Sequence, residues 1–238
     1  MPWTPRKTLF TNGTIWSGVH NEHATELLIE NGKVVSLGAS APTGEADEVV
    51  DLEGGFLMPS FGEGHAHPIF GGLEEKGPAI RSCSSVEEIV EAVRRYADER
   101  PEKEWILGAS YDGSLVERGL FEARWLDEAV SDRPVVLRAW DYHTLWCNSK
   151  AFEMAGIHAG TPEPDLGEIP RDADGGPLGV LREWGAVDLM NAVNPGNDFE
   201  DRVAALHAAS TKFASLGVTW VQDAWVEPDD LDVYIAAS

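Results

Sequence analysis

Two histidines one residue apart, His65 and His67 in "PSFGEGHAHP", are the side chains whose type and spacing best suit chemistry. In an extended strand, residues i and i+2 point to the same side. The pair would then aim two imidazoles at one point, and neutral imidazole ligates Zn²⁺ and related divalent ions. Gly62, Gly64 and Ala66 leave room around the rings. The spacing alone also suits two solvated loop histidines; a place at a strand-to-loop junction, where α/β folds put their sites, favours ligation. Glu183, at the end of the short apolar run "LGVLREW", is a second candidate, as a carboxylate that bridges or ligates metal or as an exposed Glu beside Arg182. His143, just past "PVVLRAWD", either polarises a substrate carbonyl or pairs with Asp141. Asp112 and Asp223 end predicted strands and would line a cleft, whereas Asp172 and Asp174 read as turn residues. His207 reads as structural, and His20, His23 and His158 as loop residues. Trp140, Trp146 and Trp184 either mark an apolar group near the site or fill the core.

These side chains need elements to hold them. "TLFTNGTIW" and "ELLIENGKVVSLG" each read as strand, Asn-Gly turn and strand. "EVVDLEGGFLMPSF" adds two short runs split by Gly54-Gly55, giving a small antiparallel sheet, and 39–47 is a polar loop. Beyond residue 67 helices alternate with strands. Ser85 and Glu88 open a helix over 85–100, with Ile89, Val93 and Tyr96 on one face. Strands are expected at 104–112, 134–141, 178–184 and 218–225, the last one buried. Helices are expected at 122–132, 149–157 (closed by Gly156) and 199–217. The stretch 158–177, rich in Pro, Gly and Asp, reads as a loop. The order argues for a β-domain joined to an α/β domain with parallel strands.

Composition narrows the function. The chain has 238 residues, with 41 acidic against 18 basic side chains and a net charge of −23. Such a surface repels nucleic acid and anionic membranes, so neither is expected as a partner. It suits a protein that stays soluble in concentrated salt, a halophilic character. No apolar run approaches a membrane span, no signal-peptide core is evident, and two cysteines form no disulfide framework, so a cytoplasmic location is expected.

Taken in order, "LFTNGTIWSG", "LLIENGKVVSLG", "VVDLEGGFLMPSFGEGHAHP", "WILGASYD", "LDEAVSDRPVVLRAWDYHTLWCNSKAFEMAGI", "DADGGPLGVLRE" and "LGVTWVQDA" resemble the N-terminal part of the metal-dependent amidohydrolases. The likeness is to amidohydrolase family 3, in the N-substituted formamide deformylase-like branch. It implies an α/β fold: an incomplete TIM-like (β/α) barrel with a small N-terminal β-sandwich portion over 1–58. Residues 59–238 would be the barrel part, with an inserted α/β region at roughly 70–177. The implied cofactor is a divalent metal, zinc above all, as one or two ions in a complete enzyme. The metal activates water against an amide, formamide or similar non-peptide C–N bond. Carried over, His65 and His67 are strand-1 ligands, and Glu183 is the carboxylate that replaces a carbamylated lysine. His143 faces the substrate in the block Asp141, His143, Trp146, Asn148. Ser60 stands where the family commonly has Gly, and Glu63 where Asp is frequent.

Family members run to more than twice this length, so two further ligand histidines and a general-base aspartate are expected from a missing C-terminal half. The expected partners are a small-molecule amide-type substrate and either a complementing C-terminal chain or a second copy. The alternatives are an inactive truncated homologue, a metal-binding or interaction module without catalysis, and a metal-free binding protein.

Overall fold

Asn31 and Gly32 both adopt left-handed backbone, at φ 58° and 74°, the pair of angles a two-residue hairpin turn demands. In this computed structural model, which describes residues 6–19, 22–38 and 46–238, they join β4 (Leu27–Glu30) to β5 (Lys33–Leu37) as an antiparallel hairpin. The second Asn-Gly behaves differently. β1 (Lys7–Thr11) and β2 (Thr14–Trp16) flank it but do not pair, so the expected hairpin is absent. β1 lies between β4 and β6 (Glu48–Asp51) in one sheet, parallel to β6. β2 lies between β3 (His23–Ala24) and β7 (Phe56–Leu57) in another, parallel to β7. The expected single antiparallel sheet is therefore two mixed sheets, and His23 sits in a strand rather than a loop. Residues 39–45 of the polar stretch, and His20, lie outside the described residues.

The chain forms two compact units. The first holds these strands up to Glu63, together with Gly217–Val221; Leu9 and Leu28 are its buried centre. The second holds Gly64–Leu216 and Gln222–Ser238. β8 (Phe61–Ala66) and β13 (Val218–Asp223) pair with each other, and both run from the first unit into the second. β13, expected to be buried, is half-exposed, with Trp220 58% exposed.

The second unit is built on the sheet β12-β11-β10-β9, made of β9 (Ile106–Tyr111), β10 (Val135–Ala139), β11 (Thr144–Cys147) and β12 (Val180–Arg182). Only β9 and β10 run parallel; β11 turns back on β10, so the expectation of a parallel sheet holds for one pair alone. α2 (Val86–Glu99) covers this sheet with Ile89 and Val93. Ser85 caps it by accepting from Glu88 N, while Glu88 reaches Ser84 N rather than Ser85 N. α3 (Ala123–Asp127), α4 (Ser149–Ala155) and α5 (Glu183–Asn191) follow, and Gly156 closes α4 at φ 67°.

α1 (Pro68–Glu74) packs along α6 (Phe199–Ser215), with α7 (Asp230–Ala236) beside them. A β-carbon on Gly72 would stand 2.0 Å from the backbone oxygen of Ala205. Gly72→Ala should therefore push the two helices apart. Overpacking of this kind costs about 2–3 kcal/mol. At about 2–4 °C per kcal/mol, the thermal unfolding midpoint should fall by about 4–12 °C. Calorimetry checks this, and an unchanged midpoint would show that α1 docks elsewhere.

Candidate functional site

The histidines sit where β8 ends and α1 begins. His65 lies in β8; His67 is the residue before Pro68, which starts α1 with the fixed φ that suits a first helical position. Their rings come together with centroids 5.3 Å apart. His67 Nδ1 faces Asp223 Oδ1 at 3.4 Å. With a carboxylate there, Nδ1 is the donor, which leaves Nε2 as the lone-pair nitrogen. Asp223 is nearly buried and held on both oxygens: Trp225 N donates at 3.0 Å and Tyr234 Oη at 2.5 Å. Burial and this bond push the Tyr234 phenol well above its ordinary pKa.

Glu183 and His143 form a second pair. Glu183 opens α5 in left-handed backbone, φ 59°, and donates its N–H to His143 O at 2.8 Å. His143 Nδ1 and Glu183 Oε2 stand 3.0 Å apart, both largely exposed. An exposed pair of this kind contributes little stability. The structure thus sets Glu183 against His143, and the carboxylate facing His67 is Asp223.

Aromatic rings join the two pairs. Trp225 lies 6.3 Å from His67 and 5.8 Å from Trp184, and Trp184 lies 5.7 Å from His143. Phe70 touches His67, Trp225 and Tyr142. Of the three tryptophans singled out, Trp184 belongs to this wall, Trp146 is fully buried among Tyr111, Phe121 and Trp125, and Trp140 is half-exposed. Phe70, Tyr142 and Trp225 escaped the sequence reading. Trp225 carried a signal, standing two residues past Asp223 at a strand end.

The loop carrying His143 is tightly pinned. Tyr142 is left-handed at φ 63°, and its hydroxyl donates to Glu74 Oε1 at 2.6 Å. Asp141 accepts from the backbone N–H groups of His143 and Thr144. Ser110, left-handed at φ 68°, is the extra residue of a β-bulge where β9 pairs with β10. The bulge turns its hydroxyl onto Glu74, which Arg81 also holds, at 2.7 and 2.9 Å. Strained backbone of this sort clusters at functional sites. Asp112 and Asp172 instead accept from backbone N–H groups in their own turns. His158 lies in a loop, and His207 is exposed on α6.

The donor types suit a divalent cation: two imidazoles side by side and a carboxylate behind one of them. Yet among the described residues no group of three or more His, Cys, Asp or Glu side chains is arranged to hold one. The fit is to half a site.

Comparison with known proteins gives this arrangement a lineage. The Amidohydrolase family matches residues 48–238. The chain belongs to that family. This amidohydrolase-family chain is 31% identical over 220 residues to Protein LONG AFTER FAR-RED 3 of Arabidopsis thaliana, covering 90% of this chain and 38% of the relative. It is 29% identical over 232 residues to the N-substituted formamide deformylase of Arthrobacter pascens, covering 90% and 41%. Among solved structures it superposes on an uncharacterized metal-dependent hydrolase from Pyrococcus furiosus with a TM-score of 0.66 and 25% identity, over 97% of this chain and 47% of that one. The amidohydrolase-family chain thus spans less than half the length of these relatives. Its fold is mixed α/β, and no closed sheet is formed by the described strands. No helix among the described residues is long and apolar enough to cross a membrane.

Proposed function

We propose that the protein hydrolyses a non-peptide C–N bond, an amide, formamide or similar group of a small molecule, using a divalent metal held in part by His65 and His67. The observation that carries this is the imidazole pair at the end of β8, its rings 5.3 Å apart, with His67 backed by Asp223. Family membership and the likeness to a metal-dependent hydrolase support it. In this reading the metal is zinc, His143 faces the substrate, and Glu183 is a third ligand once it leaves His143. Residues 1–58 are a sandwich portion and 59–238 part of a TIM-like barrel with an insertion at roughly 70–177. The remaining donors come from beyond these 238 residues, on further sequence, a complementing chain or a second copy, in the cytoplasm. The same imidazole pair also supports one alternative, a metal-binding or interaction chain without catalysis.

The test is metal content by plasma mass spectrometry, beside a His65→Ala/His67→Ala variant. Near-stoichiometric zinc that the variant loses is the expected result. Zinc retained by the variant overturns the role given to the histidines; zinc absent from both proteins overturns metal binding by this chain alone.

A further inference from the structure

Beside the aromatic wall lies a cavity of about 610 Å³, wholly within the second unit. We propose that it binds a small organic carboxylate, its anion on Arg138 and its apolar part against Phe70, Trp184 and Trp225. The size suits one small ligand.

Arg138 projects from β10 on the face where Ala109 and Leu145 are its direct cross-strand neighbours, and where Leu107 and Val136 also line the cavity. A guanidinium set among apolar side chains loses hydration, and burial pulls its pKa below the ordinary arginine value. Arginine nonetheless keeps its charge. Its Nη1 donates to Tyr142 O at 2.8 Å, and among the described residues no carboxylate stands within ion-pair distance of it. Of the acids near Arg138 or lining the cavity, Glu74 is taken by Arg81, Ser110 and Tyr142, Asp141 by its own loop, Asp201 by Lys76 and Glu227 by the Trp225 indole. Asp188, whose charge also acts on Arg138, accepts from Asn191, and Glu102 and Glu104 line the cavity rim. A half-buried cation without a directly paired anion is poorly solvated, and a planar fork of donors matches a carboxylate in two parallel hydrogen bonds. The acidic surface does not prevent this, because exposed charges are screened beyond about 8 Å at physiological salt.

The proposal goes beyond hydrolysis. Only where the hydrolase reading also holds does it imply that the amide substrate carries a carboxylate. The test is isothermal titration calorimetry of the full chain with 3-phenylpropionate, 3-phenylpropanol and 3-phenylpropylamine. The carboxylate should bind at least about tenfold tighter than the alcohol or the amine, the scale of a charge-assisted hydrogen bond. Arg138→Met should abolish that preference while leaving the alcohol within about twofold, and Arg138→Lys should restore part of it. Leu107→Trp, which fills the cavity with Arg138 intact, should block all three probes and decides the matter if Arg138→Met does not fold. The His65→Ala/His67→Ala variant loosens the wall at Phe70 and Trp225 but should keep the preference for the carboxylate over the alcohol, whatever its metal content. Equal binding of the three probes overturns the proposal. So does a carboxylate affinity that survives both Arg138→Met and Leu107→Trp, or a carboxylate preference lost only with the histidines.

Discussion

Replacing Asn148 by leucine should lower the thermal unfolding midpoint by about 8–16 °C, given about 2–4 °C per kcal/mol for a chain of this size and a loss of about 4 kcal/mol. The side chain is fully buried and uses its whole hydrogen-bonding capacity on backbone. Oδ1 accepts from Val135 N and Ala151 N, each at 2.9 Å. Nδ2 donates to Val130 O at 2.8 Å and Arg133 O at 2.9 Å. One amide thus ties the start of β10, the first turn of α4 and the loop between α3 and β10. Leucine keeps the branched shape with a somewhat larger volume and orphans four backbone groups, three buried and one half-buried, each of which costs about 1–3 kcal/mol when nothing replaces the partner. Partial relaxation toward water keeps the sum near the low end. Asn148→Asp separates hydrogen bonding from volume. Its burial would raise the folded-state pKa above the unfolded value, so the variant should be more stable near pH 4 than at pH 7. A leucine variant within about 2 °C of the parent would show that these bonds contribute little. An aspartate variant with no pH dependence would mean that water reaches the site.

The same dipeptide shows how far local sequence reaches. Asn31-Gly32 makes the hairpin its chemistry announces, because both residues adopt positive φ. At Asn12-Gly13 only Asn12 does, and the chain passes from one sheet to another. The cause is distant: β1 pairs with β6 in the register Thr8↔Glu48 to Thr11↔Asp51, and Asn12 Nδ2 donates to Asp51. No turn signal encodes partners forty residues away. α1 was hidden for a local reason. "PIFGGLE" opens with a proline suited to a first helical turn, but carries two glycines that weaken any helix reading. Gly72 is there for the close approach to Ala205. β11 was hidden because "TLWC" follows β10 so closely that the two read as one strand end; the left-handed Tyr142 makes the reversal.

At the site, the histidine pair was legible because strand geometry alone brings i and i+2 together. The partners of each histidine were not. Asp223 lies 156 residues from His67, and it reaches His67 only because β13 pairs with β8. Glu183 was read as a strand-end carboxylate; α5 begins at that residue, and the turn into it places the carboxylate on His143. The aromatic wall was equally hidden, since its rings come from α1, the β10–β11 turn, α5 and the segment after β13.

Charge gives the other large expected effect: the thermal unfolding midpoint should rise by about 10 °C between 10 mM and 1 M KCl. The chain carries 41 acidic against 18 basic side chains. The basic ones are largely committed, as in Lys76 with Asp201 at 2.5 Å and Arg81 with Glu74 at 2.7 Å, so most of the excess acid is uncompensated. Two like charges about 20 Å apart in water repel by about 0.2 kcal/mol. A few tens of such pairs among 23 excess charges reach several kcal/mol, acting against the compact state. At 10 mM salt the Debye length is about 30 Å and this repulsion acts across the molecule; at 1 M it is about 3 Å and only neighbours feel it. The opposing effect, loss of the exposed ion pairs, is worth less than about 1 kcal/mol each. The shape of the curve separates screening from a general salting effect. Screening saturates near 1 M and is alike for KCl and NaCl, whereas exclusion from the surface grows linearly and is far stronger for sulfate. A midpoint that is flat or falling in KCl would mean that the acidic residues are spaced well enough to coexist without salt, and that the charge serves another purpose.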